Sequence, residues 1–474
     1  MFTASRIRLL VVTCIALFMA MLDNLVIGVA LPSIQKDLNA TMSDLEWFMN
    51  AYTLAFAVLL IPFSVLGESI GRKKVFLAGV VVFSLGSLLC GLSETSLSLI
   101  LSRALQGVGG AAIVPLSLTL VNSAFPPEKR AAAIGLWSGI SGLGLSVGPL
   151  VGGLIMEGAP WQMIFYVNVP IGILAVLFGF KWLAESRGVR KPLDPAGVLL
   201  LVSGLFGLIF GLERGNSEGW GAPIVVGSLA LGALLLILFY FWEKTRKVPF
   251  VRFDLFRSRA YFFYTFAGFW MNAGVFGAIF LLTLFLQQAQ GFTPLQAGVR
   301  EMAWTTMTMI AAPLAGLAIS RLGNRNVLIA GLLFQTAALA WFALLIQARG
   351  VDFPFVAMLG PMMLAGTGMG LSFTPLSHGL ISSAPEDAAG EASGVGNATR
   401  ELGGVFGIAI GGLIFQSGSA IRSPQDFADH IVPSLGAGSL MMALALLGIA
   451  IFVRGRSTAA QSAPSSANES PSAV

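Results

Sequence analysis

Long apolar runs separated by short polar stretches recur along almost the whole chain. A helix needs roughly 20 apolar residues to cross a bilayer. Runs of this length predict fourteen membrane-spanning helices and therefore an all-α integral membrane protein. They lie near residues 9–30, 48–67, 75–93, 98–121, 132–156, 163–183, 195–213, 222–241, 261–287, 296–319, 327–347, 355–381, 388–416 and 434–453.

Basic residues collect in alternate connections between the predicted helices. Cytoplasmic loops of membrane proteins are enriched in Lys and Arg. With a cytoplasmic N-terminus, the inner connections hold Arg6, Arg8, Arg72, Lys73, Lys74, Lys129, Arg130, Arg187, Arg190, Lys191, the basic run Lys244–Arg259, Arg321, Arg325, Arg454 and Arg456. The outer ones hold Lys36, Arg214, Arg349 and Arg422, with Glu213 and Glu218 expected beside Arg214. This alternation predicts an even number of spans, with both termini cytoplasmic, in the inner membrane of the cell.

The composition agrees with a membrane protein and excludes several other classes. Apolar residues make up 56% and charged residues 11% of 474, whereas a soluble domain has about 25% charged residues. The net charge of +5 is explained by the basic loops, so no nucleic acid partner is expected. Cys14 and Cys90 lie in apolar runs and the two histidines are far apart, so neither a disulfide nor a metal site is predicted.

The chain contains an internal repeat. Gly71, Lys73 and Val75 correspond to Gly323, Arg325 and Val327, and a glycine series beginning at Gly144 corresponds to one beginning at Gly403. The repeat predicts an N-terminal six-helix half (1–185) and a C-terminal six-helix half (260–456). Two inserted helices and a basic cytoplasmic linker occupy 186–259, and a polar, disordered tail occupies 457–474. Such repeats are typical of secondary transporters, whose substrate site lies between the halves.

Two charged residues lie within predicted spans. About 13 Å of helix separates Asp23 from Pro32 at the helical rise, which places this carboxylate deep in the membrane, where a charge costs at least about 2.5 kcal/mol. Asp23 is therefore a candidate for carrying a proton or a cation, and the alternative is an acid at a helix end. Arg103 is either a functional charge or an arginine that extends its side chain to the membrane surface.

Further acids and aromatic residues are weaker candidates. Glu301 follows Arg300, and Glu401 follows Arg400; each acid is either a functional carboxylate or half of a local neutral pair. The candidates for contact with substrate are Asn24, Trp270, Trp304 and Arg400. For the aromatic residues among them, the alternative is ordinary packing. The basic run Lys244–Arg259 is either a surface helix lying on anionic lipid or a solvated loop.

The fifth predicted span contains a stripe of glycines. Gly144, Gly148, Gly152 and Gly153 surround Pro149. Small residues spaced by four along a helix allow two backbones to approach closely. The stripe is therefore either a tight packing surface or a packing surface at an interface that moves.

The motifs, taken in this order, resemble those of the major facilitator superfamily, and more narrowly its fourteen-span drug:proton antiporters. The sequence LDNLVIGVALP (Leu22–Pro32) resembles the family's LDxTIVNVALP. The segment Ser64–Lys74 resembles GxLADRxGRK, but Ser64, Glu68 and Ser69 depart from it. The remaining matches are Arg103–Gly107 to RxxQG, Gly144–Gly153 to the GPxxGG antiporter motif, and Trp161–Gly172 to WRWIFxINVPIG.

The resemblance implies the roles of the candidate residues. Asp23 and Arg103 would couple transport to protons, with Glu301 and Glu401 as further candidates; the family usually has Gln at the position of Glu401. The cytoplasmic gate would contain Glu68, Gly71, Arg72, Lys73 and Arg321, and the antiporter motif Gly144, Gly148, Pro149, Gly152 and Gly153.

The sequence therefore predicts a monomeric proton-coupled antiporter that exports small amphipathic or lipophilic compounds by alternating access. Its expected partners are these compounds, protons and the lipid bilayer, and no cofactor is expected. Proton-coupled uptake of a small metabolite by the same fold is the alternative, which the Gly148-Pro149 motif disfavours. The sequence contains no phosphate-binding loop for ATP. Ser377-His378 lacks an orienting context, so an enzyme is not expected.

Overall fold

The computed structural model describes residues 3–187, 194–247, 249, 251–385, 388–417 and 421–453. Helices form most of the described chain, and the predicted tail lies outside it. The helices are α1 (Ala4–Leu38), α2 (Met42–Ile70), α3 (Arg72–Gly91), α4 (Ser96–Ala124), α5 (Pro127–Gly158), α6 (Met163–Tyr166), α7 (Asn168–Trp182), α8 (Pro195–Glu218), α9 (Pro223–Thr245), α10 (Arg259–Leu284), α11 (Pro294–Leu322), α12 (Asn324–Arg349), α13 (Val356–Ser382), α14 (Ala389–Gln416) and α15 (Pro424–Phe452).

The lengths of these helices fit a membrane. Within the described residues, 13 segments are long and apolar enough to span one, and α6 with α7 makes up one of them. The remaining long helix is α5, with 32 residues, of which Val147–Gly158 forms a shorter apolar stretch. The described residues thus contain thirteen segments that can span a membrane and, at the position of the predicted fifth span, the long helix α5. Several extend beyond their predicted bounds, because polar helical turns continue past the apolar core.

The helices pack as two bundles with an inserted hairpin. Helices α1–α7 form the N-terminal bundle and α10–α15 the C-terminal bundle, and α8 and α9 pack on each other as the hairpin. The hairpin contacts α2 of one bundle and α14 of the other through α8. The predicted fold class, two six-helix halves with two inserted helices, is confirmed. The exact domain boundaries stay predictions.

The two bundles are joined at one end. We call the end at which α1 begins the near end and the opposite end the far end. Gln287 Nε2 donates to the Val29 carbonyl at 2.9 Å, and Gln288 Nε2 donates to Gln35 Oε1 at 2.7 Å. These contacts lie at the far end, as does the 2.8 Å hydrogen bond from Gln416 to Glu46. These three hydrogen bonds join the two bundles at the far end, so the conformation is closed there.

The described residues of the linker before α10 do not form the surface helix considered from sequence. Its described residues contain a short 3-10 turn, Phe253–Arg257. Arg252 Nη2 lies 2.8 Å from Asp254 Oδ2, and this hydrogen bond holds the pKa of Asp254 below its usual value. The described part of the linker is therefore a turn stabilised by a local ion pair.

Candidate functional site

A buried ion pair lies inside the N-terminal bundle. Arg103 Nη1 on α4 donates to Asp23 Oδ2 on α1 at 2.5 Å. The side chain of Asp23 is 0% exposed and that of Arg103 is 1% exposed. The two alternatives, an acid at a helix end and an arginine reaching the membrane surface, are therefore wrong. The sequence identified both residues but did not predict that they pair.

Neutral polar groups complete the hydrogen bonding of this pair. Gln106 Nε2 and Asn168 Nδ2 donate to Asp23 Oδ1 at 2.7 and 2.9 Å. Both amides also donate to Ser87 Oγ. Asp23 therefore accepts hydrogen bonds from α4 and α7, and Ser87 brings α3 into the same network. Multiple hydrogen bonds are what a buried charge pair needs to offset its desolvation.

The arginine also has partners beyond the acid. Arg103 Nε donates to the Phe48 carbonyl at 3.0 Å, and the guanidinium lies 4.5 Å from the centre of the Tyr52 ring, within range of a cation–π interaction. Both partners belong to α2, so the network ties four further helices to α1. Gln106 and Asn168 lie in the motifs quoted above, whereas nothing in the sequence singled out Ser87, because a serine in a span is common.

A small cavity lies between the two bundles, next to the same helix α1. Glu301 of α11 is on its wall, and Thr283 Oγ1 donates to Glu301 Oε1 at 2.5 Å. Arg300 instead places its guanidinium 3.7 Å from the centre of the Phe292 ring, so the proposed neutral pair with Glu301 does not form. The lining residues are Leu25, Gly28, Met49, Pro149, Ile279, Phe280, Leu282, Thr283, Glu301, Trp304, Thr305 and Met362. The cavity is apolar and aromatic, with a single carboxylate.

The other candidates for substrate contact are distributed unevenly. Trp304 lines the cavity and is 4% exposed, whereas Trp270 packs against neighbouring phenylalanines and does not line it. Asn24 is buried in α1, one residue from Leu25 of the cavity. Arg400 Nη2 lies 3.1 Å from Glu401 Oε1. Here the local ion pair that the sequence left open does form.

The glycine stripe packs α5 between the two sites. A Cβ atom on Gly148 would lie 3.2 Å from the Leu22 carbonyl, and one on Gly152 would lie 3.0 Å from the Val26 carbonyl, so this face meets α1 at backbone distance. Gly144 makes a similar approach to α1. Gly153 faces the first turn of α11 in the other bundle. Helix α5 therefore touches both the helix that carries Asp23 and the helix that carries Glu301.

The predicted gate residues of the N-terminal bundle form a cluster at the near end. Glu68 and Arg72 pair through two hydrogen bonds of 2.9 and 2.7 Å. Gly71 has φ of +139°, a conformation that favours glycine. Glu185, which the sequence missed, accepts hydrogen bonds from the backbone amides of Lys73 and Lys74 at 3.0 and 3.3 Å, a favourable place for an anion because it is a helix N-terminus.

These contacts stay within the N-terminal bundle in this conformation. Lys73 Nζ donates to the Phe180 carbonyl at 2.9 Å. In the second copy of the motif, Arg321 is exposed at the end of α11. Arg325, the counterpart of Lys73, donates to the Ala450 carbonyl at 2.5 Å. The gate role of these residues stays a prediction.

Two helical bundles, a buried charge network in one of them and a cavity between them define the class of membrane transporters. The chain belongs to the Major Facilitator Superfamily, whose sequence profile matches residues 13–408. It is 33% identical over 429 residues to the tetracenomycin C resistance and export protein of Streptomyces glaucescens, covering 90% of this chain and 79% of that protein. It is also 33% identical over 467 residues to the cephamycin export protein CmcT of Amycolatopsis lactamdurans, covering 96% of this chain and 94% of that one.

Two further comparisons agree. The chain is 32% identical over 412 residues to the multidrug resistance protein Stp of Mycobacterium tuberculosis, covering 86% of this chain and 76% of that protein. The fold is similar to the crystal structure of a bacterial homologue of the human lysosomal transporter Spinster, in an inward-facing, unoccupied conformation. The TM-score is 0.65 at 16% identity, covering 95% of this chain and 98% of the other. That likeness concerns the fold alone.

Proposed function

We propose that this chain is a proton-coupled antiporter of the inner membrane, which exports small amphipathic or lipophilic compounds by alternating access. In this proposal both termini and the near end are cytoplasmic. The observation that carries it is the double role of α1, which holds Asp23 in the charge network and also lines the cavity with Leu25 and Gly28. The names of the relatives, which describe antibiotic export and multidrug resistance, support the choice of substrate.

The chemistry of the cavity wall supports the proposed class of compound. Apolar and aromatic side chains such as Phe280 and Trp304 bind an apolar ring system without requiring hydrogen bonds. Glu301 is the carboxylate on this wall, and it can neutralise a cationic group. A lipophilic cation or a neutral amphipathic compound therefore fits better than a small hydrophilic metabolite.

Glu301 is also the best placed carboxylate for proton exchange. Its carboxylate accepts a hydrogen bond from the neutral Thr283 hydroxyl, whereas Asp23 accepts from the Arg103 guanidinium and from Gln106 and Asn168. A proton and a cationic substrate would compete for Glu301, which is the requirement for exchange. Asp23 and Arg103 then transmit the change, because any shift of α1 against α4 must rearrange their hydrogen bonds.

Transport in proteoliposomes tests the proposal. With an imposed pH gradient, the wild-type protein should concentrate a lipophilic cationic dye in the compartment that supplies the protons, and an ionophore that dissipates the gradient should abolish this. Glu301→Gln should lose uphill transport while keeping downhill dye movement. Glu157→Gln, an exposed acid at the far end of α5, is the matched control. Dye accumulation that does not depend on the pH gradient would contradict proton coupling. Accumulation in the opposite compartment would favour proton-coupled uptake.

A further inference from the structure

A second pair of acids is buried where the bundles meet the inserted hairpin. Glu46 of α2 is 0% exposed and Glu213 of α8 is 2% exposed. From sequence, Glu213 was expected in an outer loop. That expectation is wrong, because α8 continues to Glu218 and carries Glu213 into the packed interior. Further toward the near end, Leu54 of α2, Ile209 of α8 and Ala409 of α14 share one apolar cluster.

The contacts of the two acids join three parts of the fold. Gln416 of α14 donates from Nε2 to Glu46 Oε1 at 2.8 Å. Asn50, one turn after Glu46 on α2, donates from Nδ2 to Glu213 Oε1 at 3.0 Å. The Trp47 indole also interacts with Glu213. The two carboxylates are close enough to interact electrostatically. The N-terminal bundle, the C-terminal bundle and the hairpin therefore all contribute to one polar cluster.

This cluster has more acceptors than donors. Glu46 Oε2, Glu213 Oε2 and Asn50 Oδ1 are buried and accept no hydrogen bond in the structure. Buried acceptors without a donor are costly, and two like charges held close together in a buried site repel each other. A proton on either carboxyl group removes one charge and converts an acceptor into a donor, so a proton is the ligand that this cluster lacks.

Neighbouring charges offset only part of the negative charge. The nearest base on α8 is Arg214, which attracts Glu213 electrostatically but is also paired with the exposed Glu218 at 3.0 Å. On α2, Asp44 belongs to the capping box with Thr41, and the contact from α14 is the neutral amide of Gln416. The described residues contain no group of three or more ligands that could hold a metal ion.

We propose that Glu46 and Glu213 bind one proton between them, in a site that is complete only when the far end is closed. Gln416 reaches Glu46 because α14 packs against α2. In the alternating access proposed above, separation of these helices would expose Glu46 at the far end and release the proton. The inserted hairpin thereby acquires a role in the transport cycle without lining the cavity, since none of the lining residues comes from α8 or α9.

Infrared spectroscopy of the purified protein in lipid tests proton binding directly. The absorbance of protonated carboxyl groups at neutral pH should fall by one carboxyl group in Glu46→Gln/Glu213→Gln relative to wild type. Glu218→Gln, on the same helix but exposed, should leave it unchanged. These replacements preserve side-chain size, and a single symmetric peak in size-exclusion chromatography checks that each variant is folded. Equal absorbance in the wild type and the double variant would overturn the proposal.

Cross-linking tests the link to closure. Cross-linking of Gln35→Cys to Gln288→Cys reports closure of the far end, since the native side chains hydrogen bond at 2.7 Å across the bundles. In this background Cys14 and Cys90 are replaced by Ala so that no other thiol reacts, and Glu301 is replaced by Gln so that it cannot titrate. Raising the pH increases the reactive thiolate fraction in every variant, so the rates are compared at each pH. Relative to Glu46→Gln/Glu213→Gln, the protein that keeps Glu46 and Glu213 should cross-link several-fold more slowly as the pH rises. An identical pH dependence in both would refute the link. Uphill dye export is measured separately, so a failure of the antiport proposal is distinguishable from a failure of this one.

Discussion

Removing the charge of Asp23 should destabilise the protein as well as stop transport. In Asp23→Asn, Arg103 stays 1% exposed without its counter-charge. Breaking a buried ion pair by removing one partner costs about 3–5 kcal/mol. We expect a loss near the lower limit, about 3 kcal/mol, because Arg103 keeps the Phe48 carbonyl at 3.0 Å and Gln106 Oε1 at 2.7 Å. An isolated titrating acid, which the sequence pattern alone suggests, would show no such loss.

A double-mutant cycle measures this effect. In thermal unfolding in detergent, Asp23→Asn and Arg103→Gln should each be much less stable than wild type. The double variant Asp23→Asn/Arg103→Gln should lose less stability than the sum of the two single losses, because it leaves no unpaired charge. Glu94→Gln, an exposed acid after α3, should match wild type. If Asp23→Asn unfolds at the wild-type temperature, or if the two losses simply add, the ion pair does not hold the bundle together.

Three further variants test other parts of the structure. Gly298→Ala should prevent closure of the far end and reduce transport at least tenfold, because the added Cβ would overlap the backbone of α5. Gly316→Ala is the control and should transport normally, since a Cβ there has nothing within 4 Å. Equal activity of the two variants would refute the packing argument. Trp304→Ala should change the order of preferred substrates, whereas Trp270→Ala, outside the cavity, should not, as resistance assays with several compounds can show. Glu68→Gln should lower the free energy of unfolding by no more than about 1 kcal/mol, as for partly exposed pairs four residues apart on a helix; a larger loss in detergent unfolding would contradict this.

The sequence by itself determined the class of fold. Apolar runs long enough to cross a bilayer, alternating loop charge and an internal repeat led to two six-helix halves with two inserted helices. These features are local or periodic, so they can be read along the chain without knowing what packs on what. The same applies to Asp23, Arg103 and Glu301, because a charge inside an apolar run is visible in any sequence.

The tertiary structure decided what those charges do. Arg103 pairs with Asp23, and Asn168, from a helix distant in sequence, donates a hydrogen bond to Asp23. Glu301 does not pair with the adjacent Arg300 but accepts a hydrogen bond from Thr283. Glu46 and Glu213 lie at helix ends, where an acid in sequence usually means solvent; only the packing of α8 and α14 against α2 buries them. The reason is physical: hydropathy is a property of a segment, but pairing and desolvation of a charge depend on atoms that other segments bring to it.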